Sequence, residues 1–158
     1  MKNIKLDLQI TIKDKSIPTK KDFTKWLTLA AQIAPPPKHK NEICIRIIDE
    51  KESAHLNKTY RHKQGATNIL SFAYQQDIDE NNDNLLGDLA ICAPIITRQA
   101  QQQSKLLLAH WAHIVIHGYL HLLGYEHQTQ QETTKMEQLE IEILDKLGYP
   151  DPYSGDGE

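Results

Sequence analysis

From Lys105 to His127 the chain carries an apolar run that no surface helix could tolerate, and the run ends in a cluster of histidines. Leu106, Leu107, Leu108, Trp111, Ile114, Val115 and Ile116 cover nearly the whole helical circumference, so this segment reads as a helix buried at the centre of the fold. It must be covered on all sides, and the rest of the chain has to supply the cover. His117 and His121 lie four residues apart on one helix face, where Cβ atoms stand about 5–6 Å from each other. Two of their ring nitrogens can therefore approach one point at the roughly 2.0–2.1 Å that zinc requires. Gly124 comes directly after Leu123, the last periodic residue, and glycine accepts the left-handed turn that ends a helix. A reversal there would bring His127 to the same point. Three imidazoles leave one tetrahedral position open, as in catalytic zinc sites and unlike closed structural ones. The competing reading, core histidines satisfied by backbone carbonyls, suits a lone histidine better than three within eleven residues. Three neutral imidazoles also suit nickel, copper or iron. The protease pattern H-E-x-x-H requires a glutamate directly after the first histidine. Here that position is Gly118, which removes the main support for a metallopeptidase.

The cover is visible in the remaining periodicities. Ile4, Leu6, Leu8, Ile10 and Ile12 alternate with polar residues, predicting a first strand with one buried face. A helix starts at Pro18-Thr19, carries Phe23, Trp26, Leu27, Ala30 and Ile33, and stops at Pro35-Pro36-Pro37, which reads as a stiff connector. Residues Glu42 to Ile48 form a second strand. Asp49 and Glu52 then have the spacing of a capping box for a short helix through Leu56, Asn57 and Tyr60 to Arg61-His62-Lys63, broken at Gly65. Thr67 to Tyr74 reads as a third strand and Gly87 to Ala93 as a fourth. The acidic stretch Gln75 to Asn84 between them reads as a solvated hairpin loop, since it lacks the glycine and terminal glutamate of a calcium loop. Pro94 opens a mostly polar helix through Arg98 and Gln103. After the histidines, Thr129 and Glu132 have capping-box spacing for a last amphipathic helix through Met136, Leu139, Ile143, Leu144 and Leu147. Gly148 ends it, and a polar tail, Asp151 to Glu158, is expected to fray.

The chain has 158 residues, which suits one domain, expected over residues 1–150 with 151–158 as the tail. A net charge of −3 excludes a globally basic nucleic-acid binder, so any RNA must be held by a local patch. Cys44 and Cys92 sit in apolar strands and read as small core residues of a reducing compartment. No apolar stretch reaches the roughly 18 residues of a membrane span, and the N-terminus lacks a signal-peptide core. The expected location is cytoplasmic.

Two further stretches complete a recognisable set. Leu56-Asn57-Lys58-Thr59-Tyr60-Arg61 leads into Thr67-Asn68-Ile69-Leu70-Ser71-Phe72, and Leu86-Gly87-Asp88-Leu89-Ala90-Ile91-Cys92 precedes the buried helix. Together with His117-Gly118-x-Leu120-His121-Leu122-x-Gly124-Tyr125-x-His127 and the C-terminal Met136, Glu137 and Glu140, the chain closely resembles the YbeY family of bacterial endoribonucleases, the rRNA maturation factors. The resemblance runs from the second strand to the last helix. It implies a single-domain α+β fold, with a small mixed four-stranded sheet flanked by about five helices and the buried central helix carrying the histidines. It also implies one zinc ion on His117, His121 and His127, with Arg61 as the catalytic residue in the same cleft. The implied activity is single-strand-specific endoribonuclease action in 16S rRNA 3′-end maturation and ribosome quality control. The implied partners are single-stranded RNA, an rRNA precursor and the small ribosomal subunit, with neither DNA nor membrane expected. Position 126 is Glu where the family usually has Asp, and position 68 is Asn where many members have Asp.

Zinc lowers the pKa of a bound water to about 7 and polarises phosphoryl oxygens, which suits phosphodiester cleavage. Arg61 could clamp two phosphate oxygens through paired N–H donors, with Lys58, His62 and Lys63 as a local basic patch; by position alone it reads as a helix-end cation. His110 and His113 extend the histidine stripe backwards and read as supporting or packing residues, since three ligands already form a site. Glu126 could be a base, an acceptor for a ligand histidine, or simply exposed, and Asp88 an anchor for the site or a turn residue. A second hypothesis from another class is a ribosome-assembly binding factor in which the metal mainly stabilises the fold.

Overall fold

The computed structural model of the protein describes residues 4–74 and 84–154. Four strands, β1 (Lys5–Ile10), β2 (Glu42–Ile48), β3 (Ile69–Ala73) and β4 (Leu85–Cys92), form one sheet in the order β1-β2-β4-β3. β1 and β2 pair in parallel, as do β2 and β4, whereas β3 runs antiparallel to β4. Parallel neighbours need a crossover, and helix α1 (Lys20–Ile33) supplies it between β1 and β2. Helices α2 (Glu50–Arg61), α3 (Ala93–Gln102), α4 (Leu107–Leu122) and α5 (Gln130–Leu147) complete a mixed α+β domain.

The two faces of the sheet are unequal. Leu6, Ile43, Ile45, Ile47, Leu89 and Ile91 point to one side, into the main core with Phe23, Trp26, Trp111, Tyr119, Met136 and Ile143. On that side α4 packs against α1, α3, α5, β3 and β4 at once, which is why it is apolar round most of its circumference. On the other face Ile48, Leu70, Ala90 and Cys92 make a smaller cluster with Leu56 of α2. The connector after α1 is tied to the centre by the Tyr119 hydroxyl, which donates to the Ala34 carbonyl at 2.7 Å from a fully buried ring.

Element ends follow local chemistry. Thr19 caps α1 and Thr129 caps α5, each in a complete capping box, and Gly148 closes α5 in the left-handed region at φ +90°. At α2 the box forms only by half. Asp49 accepts from the Glu52 N–H at 2.8 Å, but the Glu52 carboxylate turns away to the Arg46 Nε, also at 2.8 Å. The helix stops at Arg61, earlier than Gly65, because His62 itself takes the left-handed conformation at φ 58°. β1 ends at Ile10, short of Ile12: Ile10 pairs with Ile47, and β2 ends one residue later. The expected hairpin loop falls almost wholly on residues 75–83, outside the described residues. The tail differs from expectation as far as Ser154. Pro152 accepts from Lys105 Nζ at 3.3 Å, and Tyr153 turns back onto α5.

Candidate metal centre and cleft

Helix α4 carries His113, His117 and His121 along one side and then reverses at Gly124, which sits at φ +99°. The Tyr125 N–H reaches the Leu120 carbonyl at 3.1 Å and the Gly124 N–H reaches that of His121 at 3.0 Å, a paired helix stop that demands the left-handed residue. The reversal brings His127 over the other two. Its ring stacks 5.7 Å from that of His117 and lies 5.0 Å from that of His121. One donor nitrogen from each of the three lies within 4.8 Å of the others. The His117 and His121 Nε2 atoms are 3.1 Å apart. Two nitrogens on one tetrahedral zinc would stand about 3.3 Å apart, given Zn–N distances of about 2.0–2.1 Å. The group could hold a metal ion.

The proton positions suit that use. His117 Nδ1 lies 2.8 Å from Glu140 Oε2, and a carboxylate only accepts. The proton is therefore on Nδ1, and the Nε2 lone pair is the one aimed at His121. The other carboxylate oxygen, Oε1, receives His113 Nε2 at 2.7 Å and the Tyr153 hydroxyl at 2.5 Å. Glu140 is fully buried. Burial would push its carboxyl up, but the hydrogen bonds and charges of His113 and His117 outweigh this and hold it down at about 2. Burial, and then the neighbouring His117, lowers the pKa of His121, favouring the neutral imidazole that a metal binds.

These histidines line one wall of an open cleft of about 850 Å³. The opposite wall is the outer edge of β3 together with the loop before it. Ser53 holds that loop by exchanging hydrogen bonds with the Thr67 backbone at 2.9 Å, and buried Asn57 donates to the Gly65 carbonyl at 2.9 Å. Arg61 also lines the cleft. Its Nη2 donates to the Ser71 carbonyl at 2.5 Å, and its guanidinium carbon lies 5.1 Å from the centre of the Phe72 ring. Lys63 joins it at the cleft wall, whereas Lys58 and His62 are exposed outside it.

The remaining candidates separate clearly. His113 supports Glu140, and its second nitrogen is buried without a partner among the described residues. His110 bonds Gln99 at 2.9 Å, and burial, with His113 and Lys105 nearby, pushes its pKa down to about 4, so it packs as a neutral ring. Glu126 lines the cleft, with Oε2 at 3.9 Å from His121 Nδ1, beyond hydrogen-bond reach. Asp88 is on the α2 face of the sheet, where it accepts from the Tyr74 hydroxyl at 2.9 Å, and does not line the cleft. Gly118 faces the sheet: a Cβ there would stand 2.5 Å from Ile69 Cδ1 and 2.9 Å from Leu89 Cδ2. A protease glutamate at this position would enter the core, which further disfavours the metallopeptidase reading. Cys44 and Cys92 are free thiols.

The roles of Glu140 and Tyr153 are not among those expected from the sequence. A signal for Glu140 exists, since it keeps the helical spacing of Met136, Ile143 and Leu144 and so places a carboxylate in an apolar stripe. Tyr153 offers none.

Known proteins similar to this chain place it in a family. The family model described as endoribonuclease YbeY matches residues 7–148. A relative named endoribonuclease YbeY, from Nitrosococcus oceani, is 47% identical over 152 residues, covering 96% of this chain and 97% of that protein. The solution structure of TM1509 from Thermotoga maritima superposes with a TM-score of 0.55 at 21% identity, covering 96% of this chain and 99% of that one, a likeness of fold. Among the described residues no helix is long and apolar enough to cross a membrane. On the strength of the model match and the 47% identity, the chain belongs to the endoribonuclease YbeY family.

Proposed function

We propose that this protein is a zinc-dependent, single-strand-specific endoribonuclease that acts in the cytoplasm on the 3′ region of 16S rRNA precursor, within the small ribosomal subunit, during maturation and quality control. The observation that carries this reading is the convergence of three histidines and Arg61 on one open cleft in a member of an endoribonuclease family. His117, His121 and His127 would hold the zinc ion. When bound, it supplies Lewis acidity to a phosphoryl oxygen and makes a water more acidic.

The chain's own residues do the rest. Glu140 fixes the tautomer and ring angle of His117, so that Nε2 faces the cleft. Arg61 is the phosphate clamp. The Ser71 carbonyl and the Phe72 ring hold its guanidinium, and donors not used by Ser71 are left for the oxygens of a bound phosphodiester. Lys63 adds positive charge at the same wall. Glu126 lines the same cleft, its Oε2 3.9 Å from His121 Nδ1, and would serve there as a proton acceptor.

The test is cleavage of labelled 16S precursor RNA by zinc-loaded protein, beside a fully paired duplex of the same sequence. Cutting of unpaired regions only, abolished by a chelator and restored by zinc, supports the reading. Equal cutting of duplex, or cutting that survives metal removal, contradicts it. A cyclic phosphate on the product would identify the RNA 2′-hydroxyl as nucleophile, whereas a simple phosphate would identify water.

A further inference from the structure

We propose that Tyr60 is a stacking platform for one unpaired nucleobase, placed so that the strand whose phosphate Arg61 holds lays an adjacent base on its ring; this rests on the ribonuclease reading above. Tyr60 lies in the last turn of α2, directly before its final residue Arg61, and is 57% exposed, whereas Leu56, one turn earlier, packs into the cluster beneath the helix. The setting of this exposed ring is ordered. It meets Phe72 edge to face, with centroids 5.4 Å apart and planes at 71°. Whichever ring supplies the edge, this geometry leaves at least one face of Tyr60 uncovered by Phe72. Phe72 is backed in turn by the cluster of Ile48, Leu70 and Ala90, so the platform has a fixed base.

The same Phe72 ring carries the Arg61 guanidinium at 5.1 Å. The Tyr60 ring and the Arg61 cation therefore stand at most about 10.5 Å apart, close enough for one strand to engage both. Lys58, Arg61 and Lys63 place three cations within the six residues of sequence that include Tyr60, on a chain whose net charge is −3. Cations interleaved with an exposed π face match a single-stranded nucleic acid, whose backbone wants charge and whose unstacked bases want a ring. A duplex keeps its bases stacked inside and could not use the platform. The platform would therefore contribute to single-strand preference without reading sequence.

The test is binding of a labelled single-stranded 2′-O-methyl RNA of about ten nucleotides, an uncleavable probe, to full-length wild type, Tyr60→Ala, Tyr60→Phe and Tyr60→Trp. The probe is also prepared with an abasic residue at each position in turn. Tyr60→Ala is expected to weaken binding by about tenfold, within the range for one base–aromatic stack, while Phe and Trp hold wild-type affinity. One abasic position should cost the wild type the same factor and cost Tyr60→Ala nothing. Wild-type affinity in folded Tyr60→Ala, or equal abasic penalties in both proteins, overturns the platform and leaves the ribonuclease reading intact. A wild-type protein that binds no single-stranded RNA overturns both.

Discussion

Replacing Glu140 by glutamine removes one negative charge from the interior and changes what two imidazoles meet. The carboxylate now accepts from His117 Nδ1 at 2.8 Å and from His113 Nε2 at 2.7 Å. A glutamine has a single acceptor oxygen, so its NH₂ must face one of those N–H donors. If the oxygen stays with His117, His113 has to shift its proton to Nδ1, which is buried and has no partner among the described residues, at about 1–3 kcal/mol. A neutral acceptor also gives roughly half the bond strength of a charged one, so His117 is held less firmly and is less basic. Metal affinity should fall about 10–100-fold, equivalent to about 1.4–2.7 kcal/mol. The metal-free protein should lose up to about 3 kcal/mol at neutral pH, since the Glu140 carboxyl drops from 4.5 to about 2 on folding. The pH window has a definite sign. A depressed carboxylate contributes fully above 4.5 and loses its contribution as pH falls through 2, so wild type and variant should converge in stability toward acid. Zinc titration against a chromophoric chelator measures the first effect, and urea unfolding in chelator at several pH values the second. Wild-type zinc affinity in folded Glu140→Gln would mean that Glu140 does not support His117 as a ligand.

Three other outcomes follow from particular contacts. Tyr119→Phe deletes the buried donor to the Ala34 carbonyl and should cost about 1–3 kcal/mol in urea unfolding with metal affinity unchanged, because that hydroxyl bonds the connector and none of the three histidines. Gly118→Ala brings a methyl within 2.5 Å of Ile69 Cδ1; overpacking should outweigh the helix propensity gained, lowering stability by about 1–2 kcal/mol. Tyr153→Phe removes one donor from Glu140 while His113 remains, so zinc affinity should fall by less than in Glu140→Gln; a larger fall would mean that the tail does more than support the carboxylate.

The parts of this fold that were legible in the sequence are those specified by local signals. The apolar circumference of α4 announced its burial, Gly124 its reversal, and Thr129 with Glu132 and Gly148 the ends of α5. The histidine triad was legible for the same reason, since a helical offset and a glycine stop are both short-range. What escaped is tertiary. Glu140 meets His117 and His113 across 23 and 27 residues, a contact that exists only once α5 lies beside α4. The docking of Tyr153 and the position of Asp88 on the far face of the sheet depend in the same way on packing and topology. The end of β1 depended on where its partner ends, and alternation within β1 could not reveal that. The left-handed His62 displaced the stop expected at Gly65, because an exposed histidine tolerates that conformation.

The most direct test of the central claim is cleavage of a labelled single-stranded RNA by wild type, His121→Ala and Arg61→Ala, with folding and zinc content measured in each sample. Wild type is expected to cut with one zinc bound, His121→Ala to lose both metal and cleavage, and Arg61→Ala to keep its metal while losing cleavage. Equal cleavage by all three folded proteins would contradict it and favour a binding role in ribosome assembly.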